Sequence, residues 1–352
     1  MGRDEPRALS ARQTAQMPWA RATAPLRVLD AGGWTDTWFA GTGTVCHLAV
    51  GPGPEVTARW SPKAGPGLVA VEVAATGEVY AFEPNLPPGR HPLLEAVVAR
   101  LAPLEGHLDL QVSSPVPPGS SLGTSAAVVV AAARALEHIS GLSSPPAELA
   151  RLAHRVETED LGRQSGVQDQ VAAAFGGANL VRVTAYPEFE VEQLKVPEGT
   201  LGILQESLLT VYLGAFHDSD QVHRDVIARL ETSPVDAQEL LEPLRQAAAQ
   251  AALALGAGDL EALGAAMQAN TEAQAGLHQE LVSEAAWAVI DLARSCGALG
   301  WKVNGAGGPG GTVTLVCPGS VDLLAKRVSE LPGARPLALS PQMQGAALLD
   351  AG

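Results

Sequence analysis

The stretch Pro115-Val116-Pro117-Pro118-Gly119-Ser120-Ser121-Leu122-Gly123, running on into Thr124-Ser125-Ala126-Ala127, decides the fold of this chain. Before it, Leu108, Leu110 and Val112 alternate with Asp109, Gln111 and Ser113, the pattern of a half-buried strand. After it, Ser125–Ile139 is rich in Ala and Val without a breaker and closes at Gly141, which predicts a largely buried helix. A Gly/Ser loop opening a helix directs several backbone N–H groups at one point, and the helix dipole adds positive charge there. A di- or triphosphate would sit favourably at such a place. Ser125, in the first turn, can offer its hydroxyl to a phosphate or to Mg²⁺. The same residues also suit an ordinary strand-to-helix turn capped by serine.

Outward from this loop the order is mixed. Leu26–Ala31 reads as a strand stopped by Gly32-Gly33, and Val45–Val50, Val56–Trp60 and Leu68–Val73 continue a sheet. Helical spacing covers Pro92–Leu104, a helix starting at Pro146 runs to about Asp160, and another spans Val167–Phe175. Strand character returns in Ala178–Val183, Val191–Val196, Leu201–Gln205 and Leu209–Leu213; beyond residue 220 the chain is mostly helical, with a late strand at Thr312–Val316. The class is α+β, in two lobes: a flexible N-terminal tail over 1–22, a mixed lobe over 23–200 and a helix-rich lobe with its own small sheet over 201–352.

Composition narrows the function. The chain has 352 residues, 46% hydrophobic and 17% charged, which excludes intrinsic disorder and favours two lobes. A net charge of −15 opposes binding to nucleic-acid backbones, whereas a local nest of N–H groups can still hold a small anion. No apolar run approaches the roughly 18 residues of a membrane span. Cys46, Cys296 and Cys317 form no metal or C-x-x-C spacing, as expected of a reduced, cytoplasmic setting. The partner to expect is a small molecule, with no nucleic acid and no membrane.

Two familiar patterns mislead. Gly119-Ser120-Ser121-Leu122-Gly123 fits G-x-S-x-G, but a nucleophile elbow follows its strand directly and the prolines here impose an extended loop. Gly305, Gly307 and Gly310 fit G-x-G-x-x-G, but a strand follows them where a dinucleotide fold needs a helix.

Six further residues could carry chemistry. Arg27 lies in an apolar strand, so it must pair with a carboxylate or reach a ligand. Asp36, on a loop after the double glycine, suits either a turn cap or an acceptor of sugar hydroxyls. Asp169 falls in the first turn of a helix after Gly166, where a carboxylate serves as a general base or complements the helix dipole. Glu157, near a helix C-terminus, calls for a metal, a buried Arg or solvent. His217 and His223 suit either a substrate contact or a polar helix face.

Together, Ala24–Asp36, Pro117–Ala127 and Asn304–Gly311 resemble the three ordered motifs of the GHMP kinases, the family of galactokinase, homoserine, mevalonate and phosphomevalonate kinases. Ala31-Gly32-Gly33-Trp34-Thr35-Asp36-Thr37 is similar to the fucokinase version, and Ser165-Gly166-Val167-Gln168-Asp169-Gln170 to the heptose-7-phosphate kinase version. Galactokinases carry Glu-His in place of Gly33-Trp34, and Pro309 stands where the family has glycine. Proline cannot donate an N–H, so the third motif is expected to support the phosphate loop by packing.

The resemblance implies a two-lobed GHMP kinase fold, with a ribosomal protein S5 domain 2-like N-terminal lobe and a helix-rich C-terminal one. It implies ATP and Mg²⁺ as cofactors. Pro118, Gly119, Ser120, Ser121, Leu122, Gly123, Thr124 and Ser125 would surround the ATP phosphates, and Ser125 and Glu157 would hold the metal. Asp169 would take the acceptor's proton, and Arg27 would pair with it. Gly33, Trp34, Thr35, Asp36, Asp169, Gly305 and Gly307 would bind the substrate. The implied reaction is phosphoryl transfer to a sugar hydroxyl, the anomeric O1 of a heptose 7-phosphate, fucose or a related sugar, by a monomer or homodimer. A kinase for a non-sugar alcohol and a non-catalytic sugar sensor are the alternatives.

Overall fold

The computed structural model describes residues 17–102, 105–214 and 220–352. In chain order the first elements are β1 (Trp19–Thr23), β2 (Leu26–Ala31), β3 (Gly43–Gly51), β4 (Glu55–Pro66), β5 (Leu68–Val73), β6 (Glu78–Phe82), α1 (Pro92–Leu101) and β7 (Glu105–Ser113). Then come α2 (Thr124–Ile139), α3 (Pro146–Arg155), a π-helical turn over Val156–Asp160, α4 (Gln168–Phe175), β8 (Ala178–Ala185), β9 (Glu188–Gln193), α5 (Glu198–Ser207) and β10 (Leu208–Tyr212). The chain continues through α6 (Asp220–Thr232), α7 (Pro234–Ala257), α8 (Leu260–Leu277), α9 (Glu284–Ser295), β11 (Gly300–Val303), β12 (Thr312–Val316), α10 (Val321–Val328), β13 (Arg335–Leu337), β14 (Ser340–Pro341) and β15 (Ala347–Ala351).

Three sheets result. One runs β15-β1-β4-β7-β5-β6, a second β14-β3-β8-β9 with β2 paired to β3, and the third β11-β12-β10-β13. The main apolar core joins the first two sheets to α1–α4 and takes in α7 and α8; a separate core lies between the third sheet, α9 and α10. Helix α2 is the centre of the main core. Ala126, Ala127, Val129, Val130, Ala131 and Leu136 are all at most 1% exposed, so its alanines permit close packing on every side.

Two expectations change. The tail expected over 1–22 lies outside the described residues through 16, and Trp19–Thr23 is strand β1, with Ala20 and Ala22 fully buried between β4 and β15. The strand expected at Leu201–Gln205 is helix α5. Its buried positions are Thr200, Leu204 and Ser207, a helical spacing, while Ile203 faces outward at 47% exposure. Among the described residues no helix is long and apolar enough to cross a membrane.

Candidate active site

The phosphate-loop stretch connects β7 to α2. Gly119, Ser121 and Gly123 have positive φ of 73°, 55° and 71°, and this left-handed alternation turns successive peptide groups toward one side. The loop is pinned from within. Ser120 is buried with its hydroxyl donating to Pro117 O, Leu122 is fully buried, and Arg27 N donates to Leu122 O at 3.0 Å. A cavity of about 450 Å³ opens beside it, with Val73, Leu93, Val116 and Val128 on its apolar walls and Pro118, Gly119, Thr124 and Ser125 at the loop end. Thr124 Oγ1 is buried without a hydrogen-bond partner among the described residues.

A second cavity, of about 520 Å³, is lined by Asp169 together with Arg27, Asp30, Asp36 and Trp34. A β-carbon built on Gly123 would stand 3.2 Å from Asp169 Cγ, so the carboxylate lies against the loop and occupies the space a side chain would need. Arg27 holds it. The guanidinium donates from Nε to Asp169 Oδ1 at 2.8 Å and from Nη1 to Ser121 O at 2.7 Å, and its Nη1 is 3.2 Å from Asp30 Oδ2. Burial alone would lower the Arg27 pKa, but the charges of Asp169 and Asp30 outweigh it and raise it above the ordinary value.

Asp30 and Lys302, which the sequence reading did not single out, complete this network. Asp30 Oδ2 accepts from Gly305 N at 2.6 Å, and Lys302 Nζ is 3.4 Å from Asp30 Oδ1. Lys302 also donates to Gln274 Oε1 at 3.1 Å and to Val303 O. Its burial lowers its pKa, Asp30 opposing and Arg27 reinforcing that shift. The rule that pointed to Arg27, a charge inside an apolar strand, applies equally to Asp30 in β2 and Lys302 in β11.

Asp36 lines the second cavity but also caps α4, its Oδ2 accepting from Gln168 N at 2.9 Å. Gly166 permits that approach, since a β-carbon there would lie 2.2 Å from Asp36 Oδ2. Burial pushes the Asp36 pKa up to about 6, against the lowering effect of the Gln168 amide. Trp34, at φ 77°, lies edge-on to His223 with centroids 5.7 Å apart and donates to Ala306 O at 3.2 Å; with Trp38 and Phe39 it forms the aromatic wall. Gly33, His223 and Gly305 line the same cavity. Phe216 and His217 lie outside the described residues.

Thr35 and Gly307, expected to bind the substrate, are not among the residues that line the second cavity. Thr35 is fully buried, its hydroxyl donating to Gly32 O at 2.7 Å, so it braces the turn. Gly307 packs against Leu281 O and Gln274, and its own carbonyl is 3.0 Å from His223 Nε2. The third motif backs the loop. β-Carbons on Gly305 and Gly311 would approach Ser121, and Thr312 Oγ1 donates to Ser120 O at 2.8 Å. Thr312–Val316 is a strand, against a dinucleotide fold. Ser121 Oγ makes no hydrogen bond to a base among the described residues, against a hydrolase elbow.

Glu157 sits in the π-helical turn after α3, 8% exposed. Its Oε2 accepts from Ser165 Oγ at 2.6 Å, whereas Oε1 is buried and unpartnered among the described residues. Burial raises its pKa, Ser165 opposing and Asp169 adding to the rise. An orphaned carboxylate oxygen beside a second carboxylate fits a cation. No group of three or more His, Cys, Asp or Glu among the described residues could hold one, so a metal here would draw its other ligands from phosphate and water.

The GHMP kinases N terminal domain matches residues 92–177 and the GHMP kinases C terminal domain residues 244–332. A mevalonate kinase of Methanothermobacter thermautotrophicus is 32% identical over 61% of this chain and 66% of its own length. A D-glycero-alpha-D-manno-heptose 7-phosphate kinase of Campylobacter jejuni is 26% identical over 57% of this chain and 59% of its own. Among solved structures, a D-glycero-D-manno-heptose 1-phosphate kinase from Bacteriodes thetaiotaomicron superposes with a TM-score of 0.72 at 22% identity, covering 94% of this chain and 99% of that one. The matched domains are those of phosphotransferases that take an alcohol group as acceptor. The chain belongs to the GHMP kinase family, whose members use ATP.

Proposed function

We propose that this chain is a sugar kinase, transferring the γ-phosphate of ATP to a sugar hydroxyl, the anomeric O1 of a heptose 7-phosphate, fucose or related sugar. One observation carries the reading: the Asp169 carboxylate, clamped by Arg27, lies against the loop at Gly123 and lines the second cavity. In this reading the adenine side of ATP fills the apolar cavity, and the N–H groups of Gly119–Ser125 hold its phosphates. Asp169 accepts the proton of the acceptor hydroxyl as that oxygen attacks the γ-phosphorus, and the bond to ADP breaks. Arg27 keeps Asp169 aimed and offsets charge on the transferring group. Ser125 and Glu157 would hold Mg²⁺, which when bound would neutralise phosphate charge.

The acceptor cavity supports a sugar. Asp36 and Asp169 share its wall, two carboxylates that can accept hydrogen bonds from the hydroxyls of a polyol, and Arg27 and Arg224 line the same cavity. The identity to a mevalonate kinase keeps a non-sugar alcohol as the second reading. A coupled ADP-release assay over D-galactose, L-fucose, heptose 7-phosphate, mevalonate and homoserine tests both. Sugar-dependent ADP supports the proposal; ADP release only with mevalonate or homoserine replaces it, and nucleotide binding without any turnover points to a sensor.

A further inference from the structure

Helix α4 carries, beside Asp169, a polar side chain for which the steps above give no role. Gln168 is 4% exposed, lines the acceptor cavity, and has a terminal Nε2 that is buried with no hydrogen-bond partner among the described residues. A buried amide left without a partner is destabilising, so its presence needs an explanation. Its main chain is fixed, because Gln168 N donates to Asp36 Oδ2 at 2.9 Å. Its side chain stands across from Gly33: a β-carbon built there would be 4.0 Å from Gln168 Oε1 and 3.7 Å from Asp30 O, at ordinary contact distance. A carboxylate acceptor, Asp36, and an unused amide donor, Gln168, thus stand together one residue from Asp169.

Taking the acceptor to be a sugar, as proposed above, we infer that Gln168 is a specificity-determining residue whose Nε2 donates a hydrogen bond to an acceptor hydroxyl other than the one phosphorylated. Asp36 accepts from the sugar on the same wall. The two together select a polyol that presents one hydroxyl as a donor and another as an acceptor. A site built to hydrogen-bond a hydroxyl rejects the analogue lacking it, because its own buried group is then left unpaired.

The test uses the full-length enzyme with whichever of D-galactose, L-fucose or heptose 7-phosphate yields ADP, together with monodeoxy analogues of that sugar. In wild type one analogue is expected to raise KM by about 10- to 100-fold. Gln168→Met, close in shape but without the donor, is expected to raise KM for the parent sugar by a similar factor, to lose nothing more with that analogue, and to keep the Kd for ATP. Gln168→Glu offers an independent reading: its KM for the parent sugar is expected to fall toward wild type as the pH drops and the carboxyl regains a proton to donate. An unchanged KM in Gln168→Met, losses that multiply for every analogue, or a Gln168→Glu KM indifferent to pH each overturn the assignment. If no sugar yields ADP, the acceptor reading itself fails; if sugar-dependent turnover persists and these variants do not respond, the role of Gln168 alone is lost.

Discussion

Lys302 Nζ stands 3.4 Å from Asp30 Oδ1, each residue 1% exposed, and this contact joins the strand before the first glycine motif to the strand before the third. Asp30 shares Arg27 with Asp169, so the buried ion pair lies one side chain behind the carboxylate that faces the cavity. Removing one partner of such a pair leaves an uncompensated buried charge, at a cost of about 3–5 kcal/mol. Lys302→Met and Asp30→Asn are each expected to destabilise by that order in urea unfolding, and the double variant by clearly less than the sum. Additive losses would show that the two charges do not act as a pair.

Asp169→Asn is expected to lower kcat by about 10²- to 10⁴-fold, the usual contribution of a general base, while the Kd for ATP stays within a few-fold of wild type. Single-turnover measurements alongside nucleotide titration separate the two. A kcat near wild type removes Asp169 from the proton transfer.

Gly123→Ala places a methyl group 3.2 Å from Asp169 Cγ on a backbone with φ of 71°. The left-handed conformation alone costs about 1–2 kcal/mol with a β-carbon. Turnover is expected to fall by more than tenfold, because the carboxylate must move off its line to the phosphate. Retention of full kcat with only the stability loss would mean that the contact has no bearing on the chemistry.

Asp36 gives a pH dependence whose direction follows from its pKa, about 6 in the fold against roughly 4 unfolded. Since the folded value is the higher, the protonated carboxyl favours the fold. That stabilisation is complete below about pH 4 and is lost as the pH rises through 6, by about 3 kcal/mol at most. Asn can still accept from Gln168 N, so Asp36→Asn is expected to be more stable than wild type at pH 7 and to lose the fall between pH 4 and 6. Unfolding curves across that range check it; parallel profiles would contradict it.

Glu157→Gln is expected to raise the Mg²⁺ concentration needed for half-maximal rate. An unaltered Mg²⁺ titration would place the cation elsewhere.

Much of this site was legible in the chain. The Pro/Gly loop, the buried helix after it and the strand after Gly311 follow from breakers and apolar periodicity, and an arginine in an apolar strand forecast its carboxylate partner. Long-range pairings were not legible. Asp30 and Lys302 are 272 positions apart, and neither carries a spacing that names the other. Leu201 and Ile203 alternate like a strand, yet Pro197 starts a helix there whose inward face is Thr200 and Leu204. Gln168 sits in an unremarkable polar triplet, and only the closed surroundings of its amide mark it out. Thr35 and Gly307 are motif positions whose contacts in the structure are with the turns around them.

Gly119 lines one cavity, and Asp169, lying against Gly123, lines the other. If ATP fills the first and the acceptor the second, as proposed, both occupy the enzyme at once, with no side chain needed to carry the phosphoryl group between visits. Initial-rate plots at several fixed concentrations of one substrate should accordingly give intersecting lines, the signature of a ternary complex, where a covalent relay would give parallel ones.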